Sequence, residues 1–483
     1  MSIEPYDWRL AFPLLEERDG YLTKLKYKIE AMKKTTGKKV VLASHSMGGM
    51  LVHFFFKWVT TPEIYGGGGG GKKWVNEHIH AYSNIAGSHL GVHKATSALL
   101  SGEMRDTIIL GTIGAMAEQF FGRKLRKDLW NTWGSLWSML PKGGDRIWGV
   151  GADLCFNVTD PTNDSFCKYY EPASKRKNKK NPPNFIPFMH LKDSDEAQED
   201  EENCGVDDDD NSLRKNETIF EIPHDDSGIN AAITKFASKE THAFSEVQEF
   251  LQEWGAGLGP SLASAKLYAD YGETKKKQRN KPKLEWMDVS QTPLPYAPNL
   301  KIYCQYGVGL DTERAYFYKF NNEEAENAAQ ENGSTKSTRD INVELPFVLD
   351  LDVDDPERNT KHGMKFVDGD GSVSLLSLGY VCADAWTRRS SGLNPSGTKV
   401  VTLEYMNKNE FTADDPFRGG PRSAEHVDIL GNTGMMEDFL RVVSDFNPPK
   451  ENKIESNLLE IAKEINAHPN GGFFKNKRRK HLL

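Results

Sequence analysis

The feature that most constrains this chain is the stretch from Lys38 to Val59. Val40-Val41-Leu42-Ala43 is a short apolar run with β-branched residues, which reads as a strand. Ser44-His45-Ser46-Met47-Gly48 follows as a tight turn, and Met50–Val59 leaves it as an apolar helix. A serine held between strand and helix presents its hydroxyl on a strained elbow at the carboxyl edge of a sheet. The backbone N–H of the next residue, Met47, then points to where an acyl oxyanion would form. The usual pattern is G-x-S-x-G, whereas this chain has Ser44 at the first glycine. A buried small-residue turn with an inert serine is the bland reading. The strand–turn–helix context favours a nucleophile at Ser46.

The rest of the composition narrows the class. With 483 residues the chain can hold two or three domains or one elaborated α/β domain, and ten Trp supply a sizeable core. A net charge of -8 argues against a nucleic-acid partner, since phosphate binding needs a basic face. Five scattered Cys with no CxxC pair give no metal site, and nothing in the sequence calls for a cofactor. No apolar run reaches the length of a membrane span, and no signal-peptide pattern follows Met1. Glycosylation triplets at Asn157, Asn163, Asn216 and Asn332 hint at a secretory compartment.

Along the chain, Leu22, Leu25, Ile29 and Met32 predict a helix over 19–34 that ends at Gly37. In an α/β-hydrolase several strands and a Gly-rich oxyanion loop precede the nucleophile, but here the elbow comes early. The expectation is therefore an amino-truncated chain with one oxyanion donor outside it. The six glycines Gly66–Gly71 read as a flexible surface loop. His78–Ile85 reads as a strand running into a turn at 86–91 beside the elbow. Trp130, Trp133 and Trp137 lie at helical spacing, either as a core stripe, the preferred reading, or as a face for a lipid interface. The charged runs at 175–180, 193–210 and 275–283 read as solvated insertions. Further strands are expected at 300–307, 365–373 and 399–405, and a last helix at 435–443. The division this implies is a first core part at 1–106, a cap or insert at 107–295, a second core part at 296–447 and a polar tail at 448–483.

A serine is a weak nucleophile without a histidine to take its proton and a carboxylate to orient that histidine. The chain order in α/β-hydrolases is Ser, then Asp or Glu, then His. Of thirteen His, only His426, His468 and His481 come late enough, and the last two lie in the expected tail. His426 is the choice. For the acid, Asp370 opens a D-x-x-V turn, while Asp368 lies within the strand end and is the second choice. Taken alone, either is an ordinary Asp-Gly turn. His45 and His89 either line the pocket or serve the structure.

At these residues the chain resembles the lecithin–cholesterol acyltransferase family, and within it the phospholipid:diacylglycerol acyltransferase branch. The segments that carry the resemblance are Tyr6-Asp7-Trp8-Arg9, Ser44–Gly48, Gly66–Gly71, Ser138–Asp145, Tyr306-Gly307-Val308-Gly309, Asp368–Val373 and His426–Asn432. The resemblance implies an α/β-hydrolase fold with a mostly parallel sheet, an inserted cap and disordered polar insertions. It also implies an acyl-enzyme at Ser46, formed from the sn-2 ester of a phospholipid and relieved by diacylglycerol at a membrane surface. A phospholipase A or a sterol acyltransferase would use the same triad, and a truncated relative would be silent. The family further implies a Cys304–Cys382 disulfide and a catalytic domain in the lumen of the endoplasmic reticulum. Ser372, where threonine is common, is a mild departure.

Overall fold

The computed structural model describes residues 1–102, 121–148, 189–192, 233, 235–236, 241–242, 244–257, 284–321, 345–410, 419–467 and 472. The runs at 107–117, 175–180, 193–210, 275–283 and 322–340, the four glycosylation triplets and three of the cysteines lie outside the described residues.

The apolar run at the elbow is β1 (Val40–His45), at one edge of a four-stranded sheet. Beside it lie β2 (Ile79–Ile85), β5 (Lys301–Val308) and β10 (Lys399–Met406), all parallel, in the order β1-β2-β5-β10. Parallel neighbours need crossover connections, and helices supply them. The first is α3 (Gly48–Thr60), apolar on every side and buried on nearly every residue, as a helix inside a core must be. Ahead of the sheet, α2 (Tyr21–Thr36) buries Leu22, Leu25 and Ile29, and Gly37 closes it at φ 67 with its N–H on Lys33 O. A preceding helix, α1 (Phe12–Asp19), was not expected; Gly20, at φ 60, separates it from α2.

The glycine run corrects the expectation of a flexible loop. Gly68, Gly70 and Gly69 donate to Trp58 O, Val59 O and Thr61 O at 2.8, 2.9 and 3.0 Å, so the run is bonded to carbonyls in and just past the last turn of α3. Lys26 Nζ donates to Gly68 O at 2.8 Å. A Cβ on Gly68 would lie 2.4 Å from the Trp58 ring, and one on Gly70 would lie 2.6 Å from the Trp74 ring. The missing side chains serve close approach rather than freedom. Gly68→Ala should therefore destabilise the fold by about 1–3 kcal/mol, the usual cost of overpacking. Denaturant unfolding of the two proteins reads this directly, and an unchanged midpoint would mean that the coil is loosely held.

A second sheet delivers residues to the first. After β5 the chain turns at Gly309 into β6 (Leu310–Phe320), which pairs antiparallel with β9 (Met364–Gly369), Leu310 opposite Gly369. The full order is β4-β3-β6-β9-β8, with β3 at Met189–Lys192, β4 at Thr241–His242 and β8 at Thr360–Lys361, while β7 (Phe347–Leu349) pairs with β6. This sheet thus joins strands from both sides of the boundary expected at 296. The tryptophan stripe is not one helix face: one helix ends at Asn131 and another starts at Gly134, Trp130 and Trp137 are buried, and Trp133 meets Trp8 edge-on at 4.8 Å. Of the two readings, the structure has the core one for Trp130 and Trp137.

The stretch expected as a polar tail packs in part. The helix Leu458–Ala467 buries Leu458, Ile461, Ala462 and Ile465 against a π-helix at Leu376–Ala385. Its lead-in is fixed by the fully buried carboxylate of Glu404, which accepts from Glu455 N, Ser456 N, Ser456 Oγ and Tyr306 Oη at 2.7, 2.7, 2.8 and 3.0 Å. A disulfide joins Cys304 on β5 to Cys382 in the π-helix. Among the described residues no helix is long and apolar enough to cross a membrane.

Candidate active site

Ser46 follows directly on β1 and holds φ 55, a left-handed conformation that a side chain rarely adopts. Its N–H donates to Ile85 O at 3.0 Å, and its carbonyl accepts from Gly49 N at 2.9 Å. The strained turn is thereby tied to β2 on one side and to the helix start on the other. Met47 N–H donates to nothing among the described residues. It sits at the amino end of α3, where the helix dipole favours negative charge.

Ser44 shows why the first glycine of the usual pattern is dispensable here. Its Cβ lies 3.1 Å from where a Cβ on Gly48 would stand, a tight approach that the bare Gly48 relieves. The Ser44 hydroxyl donates to Tyr82 Oη at 2.7 Å, Tyr82 donates to Asn84 Oδ1 at 3.1 Å, and Asn84 Nδ2 meets His89 Nε2 at 3.0 Å. Sequence reasoning passed over Tyr82 and Asn84. The available signal was the run Tyr82-Ser83-Asn84, three hydrogen-bonding side chains in succession within one strand.

The hairpin of β6 and β9 carries the acid to the carboxyl edge of the parallel sheet. Asp370, fully buried, lies just past β9. Its Oδ1 accepts from Ser372 N and Val373 N at 3.0 and 2.7 Å, and its Oδ2 accepts from His426 Nδ1–H at 2.7 Å. That bond fixes the tautomer, leaving His426 Nε2 to accept from Ser46 Oγ–H at 2.8 Å. Asp368 turns elsewhere, its Oδ1 accepting from Gly309 N at 2.7 Å. Of the two carboxylates, the structure brings Asp370 to His426.

His426 rides on a loop that reaches the sheet because Gly307, on β5, has no side chain. A Cβ there would lie 1.7 Å from Ala424 O. Ala424 N is fixed by Asn407 Oδ1 at 2.8 Å, and Asn432 anchors the far end, its Nδ2 on Ser423 O at 3.0 Å and its Oδ1 accepting from Met435 N at 3.1 Å. Asn432 thereby caps the helix Thr433–Ser444.

The other two histidines part ways. His45, half-buried, has Nε2 2.8 Å from His426 O, and burial holds its pKa below the usual value. His89 is fully buried against the Trp386 ring at 5.0 Å, and burial lowers its pKa to about 3. Its imidazole is enclosed, with Nε2 accepting from Asn84 Nδ2. Among the described residues no group of three His, Cys, Asp or Glu could hold a metal ion.

The arrangement can move a proton from Ser46 to His426 while Asp370 stabilises the imidazolium. Serine on a strand–turn–helix elbow, with acid and base arriving later in the chain at the same sheet edge, is the arrangement of the α/β-hydrolase class. The model of the lecithin:cholesterol acyltransferase family matches residues 1–433, and the chain belongs to that family. A Schizosaccharomyces pombe protein named phospholipid:diacylglycerol acyltransferase is 36% identical over 466 residues, 95% of this chain and 59% of its own length. A Saccharomyces cerevisiae protein of the same name is 34% identical over 467 residues, 96% of this chain and 57% of its own length. From Arabidopsis thaliana, phospholipid:diacylglycerol acyltransferase 1 is 33% identical over 494 residues, 96% of this chain and 69% of its own length. The chain thus spans less than three-fifths of the length of the two yeast relatives.

Proposed function

We propose that this chain is the acyl-transfer part of an O-acyltransferase that moves a fatty acyl group from the sn-2 position of a phospholipid to diacylglycerol. The observation that carries the reading is the relay of Ser46, His426 and Asp370, with links of 2.8 and 2.7 Å, in a chain whose relatives bear that name. Ser46 Oγ attacks the ester carbonyl carbon as His426 Nε2 takes its proton, and Met47 N–H receives the developing oxyanion. The ester C–O bond breaks, and the lysophospholipid leaves with the proton returned by His426. The diacylglycerol hydroxyl then gives its proton to His426 and attacks the acyl-enzyme. Triacylglycerol departs, and Ser46 recovers its hydrogen.

Both substrates are membrane lipids, so the reaction belongs at a membrane surface. The Cys304–Cys382 disulfide favours an oxidising compartment, which supports the lumenal side of the endoplasmic reticulum.

The test uses phosphatidylcholine with a labelled sn-2 chain, with and without diacylglycerol. Label should appear in triacylglycerol, matched by lysophosphatidylcholine, only when diacylglycerol is present. Label in free fatty acid regardless of acceptor would make the protein a phospholipase A, and label on an added sterol would move the acceptor. Ser46→Ala should lower transfer by about 10⁶-fold, the scale seen when a triad nucleophile is removed. Transfer near the wild-type rate in that variant would exclude Ser46 from the chemistry.

A further inference from the structure

His45 joins the two halves of the site across 381 residues of chain. Successive strand residues point to opposite faces, so Ser44 turns to Tyr82 while His45 turns to the loop of His426. Its Nε2 lies 2.8 Å from His426 O. A carbonyl oxygen only accepts, so Nε2 carries the hydrogen. His426 has the opposite tautomer, with Nδ1–H on Asp370 and Nε2 open to Ser46. The rings stand 5.0 Å apart, tilted by 42°.

The peptide groups of His426 are held on both sides. Its N–H donates to Asp370 O at 2.9 Å, and its carbonyl receives the His45 hydrogen. We propose that His45 is a positioning residue, whose Nε2–H fixes the His426 backbone so that the base stays over Ser46. The inference rests on the reading of Ser46 and His426 as nucleophile and base. Without that donor, the carbonyl of a residue only 8% exposed loses a partner, and the loop is free to turn about its bond to Asp370. Small displacements of a base cost rate steeply, because proton transfer needs hydrogen-bond contact. Burial and the charge that His426 acquires both disfavour a second imidazolium, so His45 stays a neutral donor.

The experiment measures fluorophosphonate labelling of Ser46 and the kcat and KM of acyl transfer in the full chain. His45→Phe keeps a ring and removes the donor, while His45→Gln keeps an N–H. His45→Phe should slow labelling and kcat by about 10- to 100-fold with KM within about twofold, and His45→Gln should recover most of the rate. Wild-type rates in His45→Phe overturn the inference alone. Equal losses in both variants, with a lowered unfolding midpoint, overturn it in favour of simple packing. No labelling of the wild-type chain overturns the reading of Ser46 itself, and the inference with it.

Discussion

Asp370→Asn should lower acyl transfer by about 10⁴-fold while leaving the unfolding midpoint close to wild type. An asparagine can still accept from Ser372 N and Val373 N through its carbonyl oxygen, so the turn survives. Its amide nitrogen would then face His426 Nδ1, which has to accept instead of donate. The ring hydrogen moves to Nε2 and faces Ser46, and the serine loses its proton acceptor. Asp368→Asn is the control, because that carboxylate serves Gly309 N in the β5–β6 turn. It should stay within about threefold of wild type, as expected of a group outside the proton path. A comparison of kcat in the two variants decides between the carboxylates. If Asp368→Asn is the one that fails, the acid is Asp368.

The second large effect is expected from a residue that carries no side chain at all. A Cβ added by Gly307→Ala would lie 1.7 Å from Ala424 O, and a backbone atom cannot rotate away. The loop bearing His426 has to retreat from the sheet, and a displacement near 1 Å costs about 100-fold in rate. We expect at least that loss in kcat, with a destabilisation of about 1–3 kcal/mol from overpacking. Activity assays and unfolding curves together test this. A variant that keeps its rate but loses stability would mean that the loop moves with the strand.

Much of the fold was legible because local signals and tertiary demands agree. Val40–Ala43 is apolar and partly β-branched where a strand is needed, and Gly37 follows α2 where a left-handed cap is needed. The relay was legible for another reason: chain order leaves few late histidines and few acidic turns to choose from. What stayed hidden depends on contacts between distant segments. Six glycines look like a tether until Trp58 and Trp74 are seen pressing on them. Spacing alone put Trp133 on a helix with Trp130 and Trp137, yet its partner is Trp8, far away in sequence. Leu458, Ile461, Ala462 and Ile465 stand at helical spacing, so an apolar face there is legible, but the π-helix it packs on lies some eighty residues earlier and cannot be read locally. Asn84 reads as one polar residue in a strand, and only the turn at Gly87 and the His89 ring reveal what it supports.

The sequence separation of 380 from Ser46 to His426 sets a clock on the ribosome. At about 5–20 residues per second, roughly 20–80 s pass between the emergence of the serine and that of its base. During that interval the nascent chain holds an elbow without a proton acceptor. On the proposed reading, Ser46 is therefore chemically quiet until the loop bearing His426 has been made. On that reading, a chain released between residues 46 and 426 carries Ser46 without the group that would take its proton.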